Sequence, residues 1–221
     1  MSDKRWVACI SQTGSELFEI CEHMMRKPDV LVVTNEAKVI PEIWGMEIDS
    51  IFVFKKRPTA EQLFAAFSGA DLITLHGYLY ILPAELCNAY EGKIFNGHPA
   101  LVTVYPELRG KDPQVRAWGK YPKYGCILHE VTAGVDEGPV IDSDEIFAEY
   151  VKDLEHLFII LKKLSINLWL RFFAKAFEEE HVYENSLSRN SLNWEDNAAE
   201  GIELSRDVFR LQYFTGDNQV D

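Results

Sequence analysis

Two polar side chains at the end of a short apolar run are the first candidates for chemistry in this chain. Asn96 and His98 follow Ile94 and Phe95, and Pro99 comes directly after them. Residues two apart on an extended backbone point to the same face, so an amide and an imidazole would leave a buried strand together. A proline ends such a strand and begins a loop. The pair could therefore address one substrate from one side.

A later carboxylate, Asp136, is the third candidate. It lies in the glycine-rich stretch Gly134–Gly138, which is typical of a connection between two strands. If Asp136 meets His98, it would raise the imidazole pKa and fix the tautomer. Protonated His98 and the Asn96 amide could then stabilise an oxyanion on an attacked carbonyl. No Ser or Cys is placed as a nucleophile beside His98, so the substrate, such as an amine, would attack. Spacing alone also allows the plainer interpretation of a loop histidine and a turn-forming aspartate.

The turn after the first apolar run is a candidate anion site. Ser11, Thr13, Gly14 and Ser15 would expose backbone N–H groups where a strand passes into a helix. The alternative is an ordinary strand-to-helix turn, because the pattern has neither a second glycine nor a P-loop lysine. Glu16 would also repel an anion there.

The elements that must position these residues follow from apolar periodicity. Five short apolar runs predict buried strands that alternate with helices, as in βαβ units with a parallel sheet. The predicted strands of this part are Trp6–Ile10, Val30–Val33, Ile51–Phe54, Leu72–Leu75 and the run at 93–98. Two longer strands, Gly125–Val131 and Pro139–Phe147, predict an antiparallel pair at the edge. Predicted helices begin near Ser15 and after the N-caps Thr59 and Asp153, with shorter ones at Ala84–Ala89 and Pro113–Trp118.

Composition limits the class of protein. Of 221 residues, 47% are hydrophobic and 26% are charged, which excludes a wholly disordered chain. The net charge of -13 argues against nucleic-acid binding. The four cysteines are widely spaced, which indicates neither a zinc site nor a disulfide framework, so we expect no metal. Cys9 and Cys126 lie in apolar runs and are expected to be buried thiols. With no signal peptide or apolar run long enough for a membrane span, we expect a cytoplasmic protein.

The chain divides into a main domain and an acidic tail. We expect a catalytic domain over 1–180 and a C-terminal extension of unknown role over 181–221. The oligomeric state is left open, with a homodimer as one possibility.

Several motifs in order carry a resemblance to a known family. Asn96-Gly97-His98-Pro99, followed by Asp136-Glu137-Gly138-Pro139-Val140, resembles the signature of folate-dependent formyltransferases. Upstream, His76–Leu82 is similar to the segment that lines the folate pocket in that family, and the segments Leu108–Pro113 and Gly125–His129 fall in order. The stretch Ile10–Leu17 looks most like phosphoribosylglycinamide formyltransferases, in which this turn holds the substrate phosphate.

The resemblance implies a fold, a reaction and a set of site residues. The fold would be Rossmann-like: an open, mostly parallel twisted sheet with helices on both faces and antiparallel edge strands. The activity would be transfer of the formyl group of 10-formyltetrahydrofolate to a primary amine, with Asn96, His98 and Asp136 as catalytic residues. The implied folate-binding residues are Tyr78, Leu79, Tyr80, Ile81, Leu82, Ala133, Gly134 and Val135. The implied acceptor-binding residues are Ser11, Thr13, Gly14, Ser15 and Arg109.

Three departures from the family pattern keep the acceptor open. Ala100 stands where the family usually has Ser, Tyr80 where Arg or Lys is common, and Glu16 where the phosphate turn has Asn. Phosphoribosylglycinamide is the first acceptor, in purine biosynthesis. The alternatives are a nucleotide-linked amino sugar, a methionyl-tRNA-like acceptor, hydrolysis of the formylfolate by water, and a non-catalytic folate or nucleotide binder.

Overall fold

A single seven-stranded sheet organises the described part of the chain. The computed structural model describes residues 4–178, so the predicted extension over 181–221 lies outside the described residues. The strands are β1 (Trp6–Ile10), β2 (Val30–Val33), β3 (Ser50–Val53), β4 (Leu72–His76), β5 (Ile94–His98), β6 (Lys123–Glu130) and β7 (Val140–Phe147). The helices are α1 (Ser15–Met24), α2 (Pro41–Trp44), α3 (Ala60–Ala66), α4 (Ala84–Ala89), α5 (Pro113–Ala117) and α6 (Leu154–Phe177). Short 3₁₀ turns lie at Glu36–Lys38, Pro106–Leu108 and Ala148–Tyr150.

The strand order fixes where a ligand can bind. The order is β3-β2-β1-β4-β5-β6-β7, parallel from β3 to β5 and antiparallel from β5 to β7. The chain builds outward from β1 in one direction and then returns to add β4 on the other side. In open α/β sheets, ligands bind at such a reversal, beyond the carboxyl ends of the strands. The turn after β1 and the segment after β4 therefore share the expected crevice.

Two apolar layers cover the sheet, one on each face. One face of β1 and β4 packs against α1, α2 and α6, and the other packs against α3 and α4. The layer under α6 holds a cluster of rings in which Trp6 lies 4.7 Å from Phe173 and Trp169 lies 5.5 Å from Phe173, between ring centroids. Strand β1 and helix α6 are thus packed directly together.

The predicted fold class is confirmed, with small differences in the bounds. The apolar strands begin and end within a residue or two of their predicted positions, and the capping box at Thr59 and the N-cap at Asp153 are both formed. Helix α6 continues past the last predicted apolar position to Phe177. Helix α2 was not predicted, because four residues are too few to show helical periodicity. No helix of the described residues is long and apolar enough to cross a membrane.

Candidate active site

Strand β5 presents Asn96 and His98 on one face of the sheet, as the spacing predicts. The side chain of His98 is 7% exposed, and both residues contact Asp136. Gly97, between them, faces the opposite layer, where a β-carbon would lie 2.9 Å from Trp169 Nε1. Helix α6 therefore packs closely against the face of β5 opposite to Asn96 and His98, at a position that has no side chain.

Both ring nitrogens of His98 have fixed neighbours. Nε2 lies 3.0 Å from the Leu108 carbonyl oxygen, which can only accept, so Nε2 carries a proton. Nδ1 lies 3.3 Å from Asp136 Oδ2. Proton exchange with a substrate is thereby directed to Nδ1, beside the carboxylate.

The pKa of His98 corrects one expectation. Burial lowers it from its ordinary value, although Asp136 and the Leu108 carbonyl oxygen favour the protonated ring. His129 and Arg116 add to the lowering. The expectation that Asp136 would raise this pKa is right about the pull of the carboxylate and wrong about the net direction, because desolvation outweighs it.

Asp136 is the hub of the cluster. Its backbone is in the left-handed region with φ 51°, in the connection between β6 and β7. Its Oδ2 accepts a 2.8 Å hydrogen bond from the Gly110 amide, and its Oδ1 lies 3.5 Å from both Asn96 Nδ2 and His129 Nε2. Burial alone would raise the pKa of Asp136, but the His129 and His98 rings and the Gly110 amide together lower it to about 2. The carboxylate is therefore ionised and acts as an acceptor.

His129 is a fourth member that the sequence reasoning missed. It lies on β6 directly opposite Asn96 and is 2% exposed. Its Nδ1 donates to the Glu130 carbonyl oxygen at 2.9 Å, and its Nε2 lies 3.5 Å from Asp136 Oδ1 and 3.1 Å from Asn96 Nδ2. This contact orients the Asn96 amide. The register of an antiparallel partner strand would have revealed His129, but single-sequence periodicity does not give register.

The predicted folate segment follows β4 at the same sheet edge. Leu79 and Ile81 are 57% and 58% exposed, whereas Tyr78 and Leu82 are buried. The Tyr78 hydroxyl is buried with no hydrogen-bond partner among the described residues. Tyr80 is half-buried and lies edge-on to Tyr78, with 6.0 Å between ring centroids. The exposed apolar side chains of this segment suit the face of a flat ring system.

The second predicted folate segment precedes Asp136. Ala133 and Val135 are exposed and Gly134 is half-buried. Because Asp136 contacts Asn96, this turn lies beside the carboxyl end of β5. The structure thus brings both predicted folate segments to the sheet edge that carries the catalytic candidates.

The predicted acceptor turn is more enclosed than expected. Ser11, Thr13 and Ser15 are 2%, 4% and 7% exposed. The Ser11 hydroxyl bonds Thr34 and accepts the Leu79 amide at 3.1 Å, and the Thr13 and Ser15 hydroxyls lie 3.1 Å apart. None of these three hydroxyls is exposed, so an anion here would be bound through main-chain N–H groups at the start of α1.

Gly14 explains part of this enclosure. Its φ is 76°, and an added β-carbon would lie 2.9 Å from Ile43 Cγ1 of α2. The turn therefore needs glycine for both its backbone and its packing.

Glu16, in the first turn of α1, is held by a buried histidine. Its Oε2 lies 3.2 Å from His76 Nδ1, and the Glu16 side chain remains 24% exposed. His76 Nε2 lies 2.9 Å from the Thr74 hydroxyl, which also accepts a 2.8 Å hydrogen bond from Trp6 Nε1. Burial alone would raise the pKa of Glu16, but His76, Ser165 and Lys162 lower it. A negative charge thus stands beside the predicted anion site.

Arg109 lies at the rim of the site. Its side chain is 39% exposed and its Nη1 lies 3.5 Å from Glu137 Oε1. Glu137 is the neighbour of Asp136, so the pair links the loop before α5 to the turn that carries Asp136. A guanidinium that is only partly paired remains available to an anionic substrate.

The cluster can polarise a carbonyl but cannot attack one. Within residues 4–178, no hydroxyl or thiol is hydrogen-bonded to the His98 ring, and all four cysteines are buried. No group of three His, Cys, Asp or Glu suited to a metal ion is found among those residues. The available chemistry is stabilisation of an oxyanion, and proton transfer, for a nucleophile that the substrate brings.

Comparisons of this chain with a family model, with known sequences and with solved structures all match formyltransferases. The family model described as formyl transferase matches residues 4–163. Phosphoribosylglycinamide formyltransferase of Bacillus subtilis (strain 168) is 31% identical over 155 residues, which cover 60% of this chain and 77% of that protein. Trifunctional purine biosynthetic protein adenosine-3 of Drosophila melanogaster is 28% identical over 157 residues, which cover 62% of this chain and 11% of that protein. The crystal structure of glycinamide ribonucleotide transformylase 1 from Geobacillus kaustophilus matches with a TM-score of 0.70 and 26% identity, covering 79% of this chain and 98% of that chain.

Proposed function

Because this chain belongs to the formyl transferase family, we propose that it transfers the formyl group of 10-formyltetrahydrofolate to the amine of phosphoribosylglycinamide, in purine biosynthesis. The similarity to phosphoribosylglycinamide formyltransferase supports this acceptor. The observation that carries the proposal is the meeting of Asn96, His98 and Asp136 without a protein nucleophile. Such a cluster suits a reaction in which an amine of one substrate attacks a carbonyl of the other.

The two substrates would lie in the crevice at the reversal of strand order. The exposed apolar side chains of Leu79, Ile81 and Val135 would hold the pterin ring. Arg109 and the start of α1 would hold the anionic acceptor. The amide of Leu79 already reaches Ser11, so the two regions are adjoining.

The reaction forms a bond from the amine nitrogen to the formyl carbon and breaks the bond from that carbon to the folate nitrogen. The oxyanion of the tetrahedral intermediate would accept a hydrogen bond from Asn96 Nδ2, and one from His98 Nδ1 while that nitrogen carries the proton in transit from the amine. The contact between Asn96 Nδ2 and Asp136 is 3.5 Å, at the limit of hydrogen bonding, so that N–H is the one available to the oxyanion. Asp136, through water, would pass a proton from the amine to the departing nitrogen.

The direct test is a turnover assay with defined acceptors. The full chain is incubated with 10-formyltetrahydrofolate and phosphoribosylglycinamide, a nucleotide-linked amino sugar or no acceptor, and products are read by mass. We expect formylation of phosphoribosylglycinamide, and a loss of about 10²-fold or more in kcat for His98→Ala. His23→Ala is the matched control, because His23 is exposed in the last turn of α1, at the end away from the turn. Full activity of His98→Ala would overturn the mechanism, and formylation of the amino sugar alone would overturn the acceptor.

A further inference from the structure

Arg116, on α5, binds four carbonyl groups of one loop, residues 107–111, with a single guanidinium. Its Nε donates to the Lys111 carbonyl oxygen at 3.0 Å, and Nη1 donates to that of Glu107 at 2.5 Å. Its Nη2 donates to the carbonyl oxygens of Leu108 at 2.9 Å and Arg109 at 2.7 Å. Four of the five N–H donors of a guanidinium are thus used on one short loop. No carboxylate of the described residues lies within ion-pair distance of Arg116, so peptide dipoles, not a counter-charge, hold this cation.

The same loop touches two of the catalytic candidates. The Leu108 carbonyl oxygen that accepts from Arg116 also accepts from His98 Nε2 at 3.0 Å. Two residues on, the Gly110 amide donates to Asp136 Oδ2 at 2.8 Å. The loop is therefore the part of the protein that fixes both the protonated nitrogen of His98 and the position of the carboxylate.

We propose that Arg116 is a positioning residue for formyl transfer, which holds the loop 107–111 against His98 and Asp136. This inference rests on the proposed function. By fixing the Leu108 carbonyl oxygen on Nε2, Arg116 leaves Nδ1 as the nitrogen that faces the reacting atoms. Arg116 does not touch the substrate and acts only through the loop.

The chemistry of the side chain makes arginine specific here. The planar guanidinium spreads its donors in fixed directions, which lets one side chain reach four carbonyl oxygens. Lysine offers three donors from a single nitrogen and cannot span the same set. Without the guanidinium, the loop would keep its 3₁₀ turn at Pro106–Leu108, the buried Leu108 side chain and the Arg109–Glu137 ion pair, but its backbone contacts to His98 and Asp136 would lose their main support. We expect those contacts to loosen.

The kinetic test compares Arg116→Ala and Arg116→Lys with the wild-type chain. We expect kcat to fall by about 10- to 100-fold in both, with KM for either substrate within about threefold, because misplacement costs mainly transition-state stabilisation. Added guanidinium ion should restore part of the activity of Arg116→Ala and none of Arg116→Lys.

Arg171→Ala is the control for an arginine with a structural role. Arg171 pairs with Asp142 at 2.8 Å and Asp144 at 2.9 Å, away from the loop, so its loss should lower Tm and leave kcat unchanged. The proposal is overturned if Arg116→Ala keeps kcat within about twofold of wild type. It is also overturned if Arg171→Ala loses as much kcat as Arg116→Ala at an equal loss of Tm.

A second measurement does not depend on activity. Chemical shifts of the ring nitrogens, read by NMR on protein with isotopically labelled histidines, report which nitrogen carries the proton, and a His98→Gln spectrum assigns the signal. We expect Nε2 of His98 to be protonated in the wild type, and the proton to be shared between both nitrogens in Arg116→Ala. An unchanged His98 signal in Arg116→Ala would overturn the positioning role. If the wild type formylates no amine but this signal changes as expected, the proposed function fails and the loop assignment stands.

Discussion

At the scale of single residues, Glu16 shows how a charge is accommodated beside the predicted anion site. Its carboxylate is paired with His76, which is itself held by the Thr74 hydroxyl. The pairing draws the charge toward the core, yet about a quarter of the Glu16 side chain is still exposed. The remaining field should weaken phosphate binding at the start of α1 without abolishing it.

Glu16→Gln isolates that field. Glutamine keeps an oxygen that can accept from His76 Nδ1 but removes the charge, so we expect KM for phosphoribosylglycinamide to fall by about two- to fivefold. The gain should shrink at high salt, because ions screen an exposed charge. Steady-state kinetics with varied acceptor measure both effects. Glu22→Gln, farther along α1 and exposed, is the control; an equal fall in that variant, or no fall in Glu16→Gln, would contradict the assignment.

At the scale of elements, β5 and α6 act as one unit behind the site. Gly97 allows Trp169 to approach the strand that carries Asn96 and His98. Trp169 Nε1 is buried with no hydrogen-bond partner among the described residues, so the close approach of Trp169 to Gly97 rests on packing and not on a hydrogen bond of the indole. A side chain at position 97 would have to displace either α6 or β5.

Gly97→Ala should therefore destabilise the fold. The new β-carbon would lie 2.9 Å from Trp169 Nε1 and 3.3 Å from Ser165 Oγ, and overpacking of this kind costs about 1–3 kcal/mol. Urea unfolding would measure the loss, and Trp169→Phe in the same chain should recover part of it. Gly45→Ala is the control, since its nearest contact would be an ordinary 3.4 Å. A stability of Gly97→Ala equal to that of Gly45→Ala would show that the helix yields freely.

The strands are the features that could be predicted most accurately from the sequence. Buried parallel strands are continuous apolar runs, so β1, β2 and β4 could be predicted without tertiary information. Asn96 and His98 could be paired because strand periodicity is local. His129 and Arg116 could not be found, because their roles depend on the register of β6 and on a loop folded over the site. The pKa direction of His98 was also out of reach, since it depends on burial.

At the scale of the whole molecule, the site couples stability to pH in two separate windows. The folded pKa of His98 lies below its ordinary value of 6.5, so below that pH the unfolded chain binds a proton that the folded chain refuses. The stability associated with His98 is therefore present above pH 6.5 and is lost as the pH falls through the folded pKa. Asp136 affects stability at lower pH. The stability associated with its ionised form is present above its ordinary pKa of 3.8 and is lost as the pH falls toward about 2.

His98→Gln should reduce the pH dependence of the free energy of unfolding in the upper of these two pH windows. One proton difference gives a slope of at most about 1.4 kcal/mol per pH unit. We expect the free energy of unfolding of the wild type to fall more steeply than that of His98→Gln as the pH is lowered from about 7 to about 5. His156 also has a pKa lowered by burial, so His156→Gln shows how much of the slope belongs to a site outside the cluster. Parallel slopes for wild type and His98→Gln would contradict the assigned direction.

The packing of Trp6 against Phe173 has a consequence for folding of the chain during its synthesis. Trp6 opens β1 and Phe173 lies near the end of α6, so this layer of the core is completed only by nearly the last described residues. During synthesis, β1 and β4 must therefore wait with one apolar face uncovered until α6 has emerged. Exposed strands of this kind are sites of aggregation, and contacts between distant parts of a chain form slowly. We therefore expect aggregation of the nascent chain to be greatest before α6 has emerged.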